Sequence, residues 1–304
     1  MTGTGDRGSA NTLHGQGMRI LVTGSRGQLG RALERAGAAR GHEVVGVDLP
    51  ELDVTDRGAV LDLAARVGPA AIVNCAAFTA VDAAEAREAA ALAVNATAVG
   101  HLAQAANAVG ATLVQVSTDY VFDGNGSRPY LEGDPPAPLG AYGRTKLAGE
   151  LQVAHANPEH AIVRTAWLFG AGGPNFVDAI LARARAGQRL RVVDDQRGSP
   201  TFTRDLAEGL LRLMAAGQYG TYHCSNSGDC TWYDLAAYAV ERAGLPLAPE
   251  RTDTASFPRP AKRPAYSVLG NARFEQVTGW RMPPWRDAVD RHLADTAGVP
   301  RRTS

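Results

Sequence analysis

The chain has 304 residues, of which 45% are hydrophobic and 20% charged, and this ordinary globular composition excludes wholesale disorder. Its 31 basic residues balance 31 acidic ones, so no net charge draws it to nucleic acid or to an anionic membrane. Three cysteines are too few for a disulfide framework, and the seven histidines are scattered, so no metal site is expected.

The N-terminal segment 1–17 is rich in glycine, serine, threonine and asparagine and carries no apolar run, which is unlike a signal peptide. We expect it to be a disordered tail. No stretch reaches the roughly 18 uninterrupted apolar residues of a membrane-spanning helix. The sequence therefore predicts a cytoplasmic protein with neither a membrane nor a nucleic acid as its partner.

Apolar runs alternate with helical patterns through the first half of the chain. Runs rich in β-branched residues predict buried strands at 18–23, 43–47, 70–74, 112–117 and 161–165. Apolar residues at helical spacing predict helices at 28–39, 56–67, 82–109 and 140–156. Strands and helices that alternate in this way predict an α/β fold of the Rossmann type, in which a doubly wound parallel sheet is covered on both faces.

The pattern changes twice beyond these elements. Residues 118–139 hold several prolines and glycines and predict a long irregular loop. After residue 170 the strands shorten, helices are predicted at 175–186, 203–216 and 231–243, and a basic, proline-rich loop follows at 256–264. We expect a Rossmann domain at 18–170 and a smaller mixed C-terminal domain at 171–304, some segments of which return to the first.

A glycine-rich loop follows the first predicted strand. In a dinucleotide site Gly24 would allow the tight turn, Gly27 the approach of a diphosphate to the backbone, and Gly30 the packing of the helix on the sheet. This spacing alone is also that of an ordinary glycine-rich turn. Asp48 ends the second strand 24 residues after Gly24, where a carboxylate would accept hydrogen bonds from the adenosine ribose. Together these features predict a dinucleotide site.

Tyr142 and Lys146 lie four residues apart on a predicted helix and so share one face. A lysine cation within about 4–6 Å of a phenol lowers its pKa, so the pair would exchange a proton with a carbonyl or an alcohol near neutral pH. Lys146 is one of only two lysines in the chain, which argues against coincidence. Thr118 ends the fourth strand at the edge where α/β sheets bind ligands, and it either holds the same substrate oxygen or merely caps the turn.

The sequence motifs described above, in their order along the chain, resemble those of the dTDP-4-dehydrorhamnose reductase family, which is part of the extended short-chain dehydrogenase/reductase superfamily. The resemblance covers about residues 18–290 and rests on the glycine loop and on segments 74–82, 117–124, 142–150, 164–167, 194–201 and 263–267. It implies an NAD(P)H-dependent oxidoreductase that reduces the 4-keto group of dTDP-6-deoxy-L-lyxo-4-hexulose to give dTDP-L-rhamnose. The implied cofactor is NADPH or NADH, and the implied partner is a dTDP-linked 4-keto-6-deoxy sugar.

The resemblance also implies roles for individual residues. Tyr142 would donate the proton, Lys146 would bind the nicotinamide ribose, and Thr118 would complete the catalytic group. The implied substrate contacts are Thr118, Asp119, Trp167 and Arg263, although Trp167 would also suit a core and Arg263 a simple charge balance. The residues expected to bind the cofactor are Gly24, Arg26, Gly27, Gln28, Leu29, Gly30, Asp48, Asp53, Val54, Ala76, Ala77, Phe78, Val116, Tyr142 and Lys146.

Two features bear on cofactor choice and assembly. Asp48 would favour NADH and Arg26 would pair with the 2′-phosphate of NADPH, so we expect both cofactors to work, with a modest preference for NADPH. Some relatives dimerise through magnesium bound by a glutamate of the first helix, where this chain has Ala32. A metal-linked dimer is therefore not expected, and a monomer or a homodimer stays open.

Two other functions keep the same motifs. A sister dTDP-4-keto-hexose reductase of an antibiotic sugar pathway, such as dTDP-dihydrostreptose synthase, would use the same cofactor and proton chemistry. The β regulatory subunit of methionine adenosyltransferase has a similar sequence but acts as a binding partner without catalysis. The intact set of Thr118, Tyr142 and Lys146 favours an enzyme over that non-catalytic alternative.

Overall fold

The computed structural model describes residues 17–297 and is built around a six-stranded, entirely parallel sheet. Its strands, in spatial order, are β2 (Glu43–Val47), β1 (Arg19–Thr23), β3 (Ala71–Asn74), β4 (Thr112–Thr118), β5 (His160–Thr165) and β10 (Gly220–His223). The direction of winding reverses between β1 and β3, and such a reversal opens a crevice beyond the carboxyl ends of the strands. The predicted doubly wound fold is confirmed.

Helices cover both faces of this sheet. On one face α1 (Gln28–Ala39), α8 (Thr203–Ala216) and α10 (Ala272–Thr278) bury a core that includes Leu33, Leu210 and Phe274. On the other face α2 (Arg57–Val67), α5 (Ala98–Val109) and α6 (Ala141–Ala156) cover Leu21, Ile72 and Leu113. Strands buried on both sides need apolar residues throughout, which explains the continuous β-branched runs of the sequence.

The C-terminal half forms a second core with short strands around it. Helices α7 (Phe176–Arg185), α9 (Trp232–Arg242) and α11 (Trp285–Ala297) pack together there. The short strands form three pairs: β6 (Leu168–Phe169) with β9 (Thr201–Phe202), β7 (Arg191–Val193) with β12 (Glu250–Thr252), and β8 (Arg197–Gly198) with β11 (Cys230–Thr231). Although α8 and β10 also follow residue 170, they belong to the first core and the main sheet.

One predicted helix differs from the structure. The alanine-rich stretch predicted as a single helix over 82–109 consists of α3 (Val81–Ala86), α4 (Glu88–Leu92), a π-helical turn (Ala93–Thr97) and α5. The chain leaves the helical conformation at Arg87, with φ −130°, and widens around Asn95, whose side chain bonds elsewhere. The alanines give no sign of either break, and the bonds that Asn95 makes at the wider turn are with Phe78 and Thr145, outside this stretch.

Several sequence expectations concern particular places in the fold. The predicted tail at 1–17 lies outside the described residues except for Gly17. No helix within residues 17–297 is long and apolar enough to cross a membrane. Ala32 is 7% exposed in the packed face of α1, so a metal ligand from this position would have to leave the core.

Candidate active site

A cavity of about 980 Å³ opens beyond the carboxyl ends of β1, β3, β4 and β5. Its wall is formed by the loops that follow these strands, by the first turns of α6, and by parts of the C-terminal half. Every residue predicted to bind the cofactor lines this cavity, and so do Thr118, Asp119 and Trp167 from the predicted substrate contacts. The structure thus brings residues from distant parts of the chain to one site.

The glycine loop needs its glycines for measurable reasons. Gly24 has φ +67°, and a Cβ there would lie 2.6 Å from the backbone nitrogen of Ala76. At Gly30 a Cβ would lie 2.5 Å from the Gly24 carbonyl oxygen. Gly27 precedes α1 without a side-chain cap, so the first amides of that helix keep their donors for another acceptor. Close backbone approach and uncapped amides fit the diphosphate of a dinucleotide.

Charged groups surround the end of the cavity predicted to hold the adenosine. Both carboxylate oxygens of Asp48 already accept backbone hydrogen bonds, from Arg26 at 3.0 Å and from Leu49 at 2.9 Å. The guanidinium of Arg26 pairs with Glu51 and also donates to the Leu49 carbonyl. Glu51 was not among the sequence predictions. Because it pairs with Arg26, the Arg26 guanidinium is already neutralised by a carboxylate.

The predicted catalytic residues meet beside β4. Tyr142 lies in the first turn of α6, and Lys146, one turn later, is 4% exposed and donates from Nζ to the Val116 carbonyl at 2.7 Å. Thr118 is a hydrogen-bond partner of the Tyr142 phenol. The two hydroxyls and the ammonium therefore line one region of the cavity.

The expected lowering of the tyrosine pKa is wrong for this structure. Burial raises the pKa of Tyr142 to about 12, against the opposing hydrogen bond from Thr118. Burial also lowers the pKa of Lys146 to about 8, against the opposing charge of Glu150. Desolvation disfavours the charged form of each group and is the largest cause of both shifts. Tyr142 is therefore a protonated phenol at neutral pH, which is the form that a proton donor requires.

Asp119 is a buried carboxylate next to Thr118. It is 1% exposed, its Oδ1 accepts from Thr118 Oγ1 at 3.0 Å, and its Oδ2 has no hydrogen-bond partner among the described residues. Burial raises its pKa to about 6. Ser267 opposes this rise in pKa, so the carboxylate as a whole is not isolated. Its Oδ2 oxygen fits the predicted contact with a sugar hydroxyl, since a buried acceptor is costly to leave without a donor.

Asn95, which the sequence analysis missed, ties the catalytic helix to the wall of the cavity. Its side chain accepts from the Phe78 amide at 2.8 Å, donates to the Phe78 carbonyl at 3.2 Å, and donates to Thr145 Oγ1 at 3.1 Å. Thr145 lies between Tyr142 and Lys146 on α6. The signal available in the sequence was an asparagine within an alanine-rich helix, because a polar side chain in an apolar helix needs a hydrogen-bond partner.

A buried ion pair lies behind the same helix. Glu150, one turn beyond Lys146, accepts from Arg164 Nη2 at 2.7 Å and from Ser117 Oγ at 2.5 Å. The Glu150 and Arg164 side chains are each only 5% exposed. Arg164 also lies over the Phe122 ring, 5.1 Å from its centroid. This pair joins α6 to β4 and β5 immediately below the catalytic residues.

Arg263, one of the implied substrate contacts, is not a free cation at the cavity. It donates to both carboxylate oxygens of Asp82, at 3.0 and 2.9 Å, and its side chain does not line the cavity. The hydrogen bonds from Arg263 lower the pKa of Asp82. Arg263 also contacts Tyr120, which does line the cavity, so it supports the wall from behind. Segment 196–201 does not line the cavity either.

Comparison with known proteins decides the family. The model of the RmlD substrate binding domain matches residues 18–297. The chain belongs to the RmlD family. Among curated relatives of this RmlD-family chain, a dTDP-4-dehydrorhamnose reductase of Streptomyces griseus is 47% identical over 287 residues, which cover 92% of this chain and 94% of that protein. A probable dTDP-4,6-dihydroxy-2-methyloxan-3-one 4-ketoreductase of Streptomyces antibioticus is 43% identical over 281 residues, covering 91% and 95%.

Solved structures agree with this assignment. The crystal structure of dTDP-4-dehydrorhamnose reductase from Bacillus anthracis, in complex with NADP, matches with a TM-score of 0.90 at 35% identity. The match covers 92% of the RmlD-family chain and 100% of that structure. The resemblance predicted from the sequence motifs is therefore confirmed.

Proposed function

We propose that this chain reduces the 4-keto group of dTDP-6-deoxy-L-lyxo-4-hexulose and so forms dTDP-L-rhamnose. The observation that carries the proposal is the meeting of Thr118, Tyr142 and Lys146 with the glycine loop in one cavity, in a member of the RmlD family. The cofactor is NADPH or NADH, and its reduced nicotinamide, when bound, supplies the hydride. The 47% identity to a dTDP-4-dehydrorhamnose reductase supports the rhamnose branch.

The protein's own residues supply the proton and the geometry. Tyr142 holds its phenolic proton at neutral pH and donates it to the oxygen at C4 as that oxygen gains charge. Thr118 donates a hydrogen bond to the same oxygen, and the Lys146 ammonium, which donates to the Val116 carbonyl in this structure, would hold the ribose of the cofactor. Lys146 lies one helical turn after Tyr142 and lines the same cavity, so its charge would stabilise the phenolate that remains after proton transfer.

The substrate assay tests the reaction directly. We expect the purified chain to consume reduced nicotinamide when the upstream dehydratase and epimerase supply the dTDP-4-keto sugar, and not with the free sugar. Binding energy from a remote diphosphate holds the carbonyl in place, so truncation costs kcat as well as affinity. Chromatography that shows dTDP-L-rhamnose supports the proposal, whereas no consumption of either cofactor with any dTDP-4-keto sugar contradicts it and favours the non-catalytic, β-subunit-like role.

A sister reductase of an antibiotic sugar is the second candidate, supported by the 43% identity to the Streptomyces antibioticus ketoreductase. It differs only in the sugar accepted. A ring-contracted dTDP sugar as the product of the same assay would favour this branch. A cytoplasmic location is also part of the proposal, and the three free cysteines are consistent with a reducing compartment.

The cofactor preference depends on Arg26 and Glu51. We expect Arg26→Ala to weaken NADPH binding by roughly 10-fold and to leave NADH nearly unchanged, because only NADPH carries the 2′-phosphate that this guanidinium can bind. Glu51→Gln should act in the opposite direction, because its carboxylate competes with the phosphate for Arg26. Fluorescence titration with both cofactors at fixed salt measures the difference. Equal losses with both cofactors in Arg26→Ala would mean that Arg26 stabilises the loop instead.

A further inference from the structure

Two tryptophans from distant parts of the chain form a parallel stack in the cavity wall. Trp167 follows β5, and Trp232 is the first residue of α9. Their ring centroids are 3.6 Å apart and their planes differ by 8°. Both indoles line the same cavity as Tyr142. Trp232 was not expected at the site, and nothing in the sequence around it signals a ligand.

The backbone of Trp167 adopts a conformation that needs support from its surroundings. Its φ is +48°, and among residues 17–297 it is the only non-glycine residue with a positive φ. A bulky residue seldom adopts this left-handed conformation, and it persists where neighbouring structure holds it. The direction in which the Trp167 indole points into the cavity therefore depends on its contacts.

Two residues, Gly198 and Trp232, provide those contacts, and we call them the indole clamp. Gly198 of β8 lies opposite Cys230 of β11, and Trp232 follows β11 directly. A Cβ at Gly198 would lie 2.5 Å from Cε2 of Trp167, so the glycine lets the indole lie against the backbone of β8. The clamp thus holds Trp167 between the β8–β11 pair and the cavity.

Trp232 is itself held firmly. Its Nε1 donates to Gln196 Oε1 at 3.2 Å, and Gln196 Nε2 donates to Thr254 Oγ1 at 2.9 Å. The Phe176 ring packs against it with a centroid distance of 4.5 Å. These contacts come from the C-terminal half of the chain, so Trp232 is a fixed surface against which the strained Trp167 rests. Segment 196–201 therefore contributes to the site through the clamp and not through the cavity wall.

We propose that Trp232 is a positioning residue, which acts through Trp167 to set the wall that the sugar of the substrate contacts. The proposal rests on the proposed function, in which Trp167 touches the sugar. Removal of Trp232 would free the Trp167 indole to leave its position. Sugar affinity would then fall while the cofactor end of the cavity, formed by other loops, stays intact.

The test separates the clamp from the reaction. Stacked indoles give an exciton couplet in the far-ultraviolet circular dichroism spectrum, which needs neither substrate nor turnover. We expect the couplet to disappear in Trp232→Leu and in Trp167→Leu and to persist in the control Trp280→Phe, whose ring packs on Phe274 away from the cavity. A couplet that persists in Trp232→Leu would show that it does not arise from the stacking of Trp167 on Trp232, and would overturn the proposal. Failure of the wild-type chain to reduce any dTDP sugar would instead refute the proposed function.

Kinetics then distinguish positioning from direct contact. The energy of an aromatic pair of this kind corresponds to a factor of about 2 to 10 in affinity. Trp232→Leu should therefore raise the KM for the dTDP sugar by that factor and leave cofactor binding unchanged. Trp232→Phe should recover part of the loss. The double variant with Trp167→Leu should be no worse than Trp167→Leu alone, because Trp232 acts through its partner. Additive losses would mean that Trp232 binds the substrate itself, and would overturn the proposal.

Discussion

Tyr142→Phe should lower kcat/KM for the dTDP-4-keto sugar by roughly 10²- to 10⁴-fold, the usual contribution of a positioned general acid. The phenol is protonated at neutral pH because burial raises its pKa to about 12, and it is the group placed beside Thr118 in the cavity. Phenylalanine keeps the ring and its edge contact with Tyr120, with centroids 5.6 Å apart, so the wall is preserved. Steady-state kinetics with saturating cofactor measure the loss.

The control for that variant is another buried tyrosine outside the cavity. Tyr222 donates its hydroxyl to the Tyr219 carbonyl at 3.1 Å and lies in β10, so Tyr222→Phe removes a comparable hydroxyl without approaching the substrate. It should keep nearly full turnover. Cofactor binding, measured by titration, should be unchanged in both variants. Near-full activity in Tyr142→Phe would refute the assignment of the proton donor.

Glu150→Gln should lower the free energy of unfolding by about 3–5 kcal/mol, because it leaves Arg164 as a buried cation without its counter-ion. Both side chains are only 5% exposed, so water cannot replace the lost carboxylate. Ser117 loses its charged acceptor as well. A domain has only about 5–15 kcal/mol of stability, so the expected change is a large fraction of the total. Urea unfolding followed by circular dichroism measures it.

Glu88→Gln is the matched control, because it breaks an arginine–glutamate pair of similar geometry at the surface, between α4 and α6. Arg144 donates to both oxygens of Glu88, at 2.9 and 3.0 Å, but the two side chains are 45% and 46% exposed. A much smaller change is expected there, because solvent screens an exposed pair. Replacing Glu150 and Arg164 together by methionine should recover much of the stability, since no buried charge is left. Equal effects of Glu150→Gln and Glu88→Gln would contradict this account.

The elements and the catalytic motif were predictable because their signals are local. The sheet strands are continuous apolar runs, the glycine loop follows one of them directly, and Tyr142 and Lys146 share a helix face whatever surrounds that helix. Such patterns depend on neighbouring residues alone. The predicted cofactor contacts in the loops after β1, β2 and β3 line a single cavity, because the carboxyl ends of parallel strands meet at one edge of the sheet.

The features that sequence reasoning missed depend on residues far apart in the chain. Arg263 is 181 residues from Asp82, and no local pattern shows that its charge is already paired. Trp232 follows a two-residue strand whose partner begins at Arg197, which is too short to give a periodic signal. The pKa of Tyr142 is likewise set by burial, a property of the whole fold, and not by its spacing from Lys146.

The edge strand β10 has a consequence for how the chain can be divided. It pairs in parallel with β5, from Gly220 opposite Ala161 to His223 opposite Arg164, yet it follows much of the C-terminal half in the sequence. A fragment that ends near residue 170 would expose the backbone donors and acceptors of β5 and invite edge-to-edge aggregation. It would also strip α8 from the core that it shares with α1. The two halves therefore cannot be exchanged with those of a relative at that boundary, and a chimaera designed to graft a new sugar specificity must carry α8 and β10 with the N-terminal half.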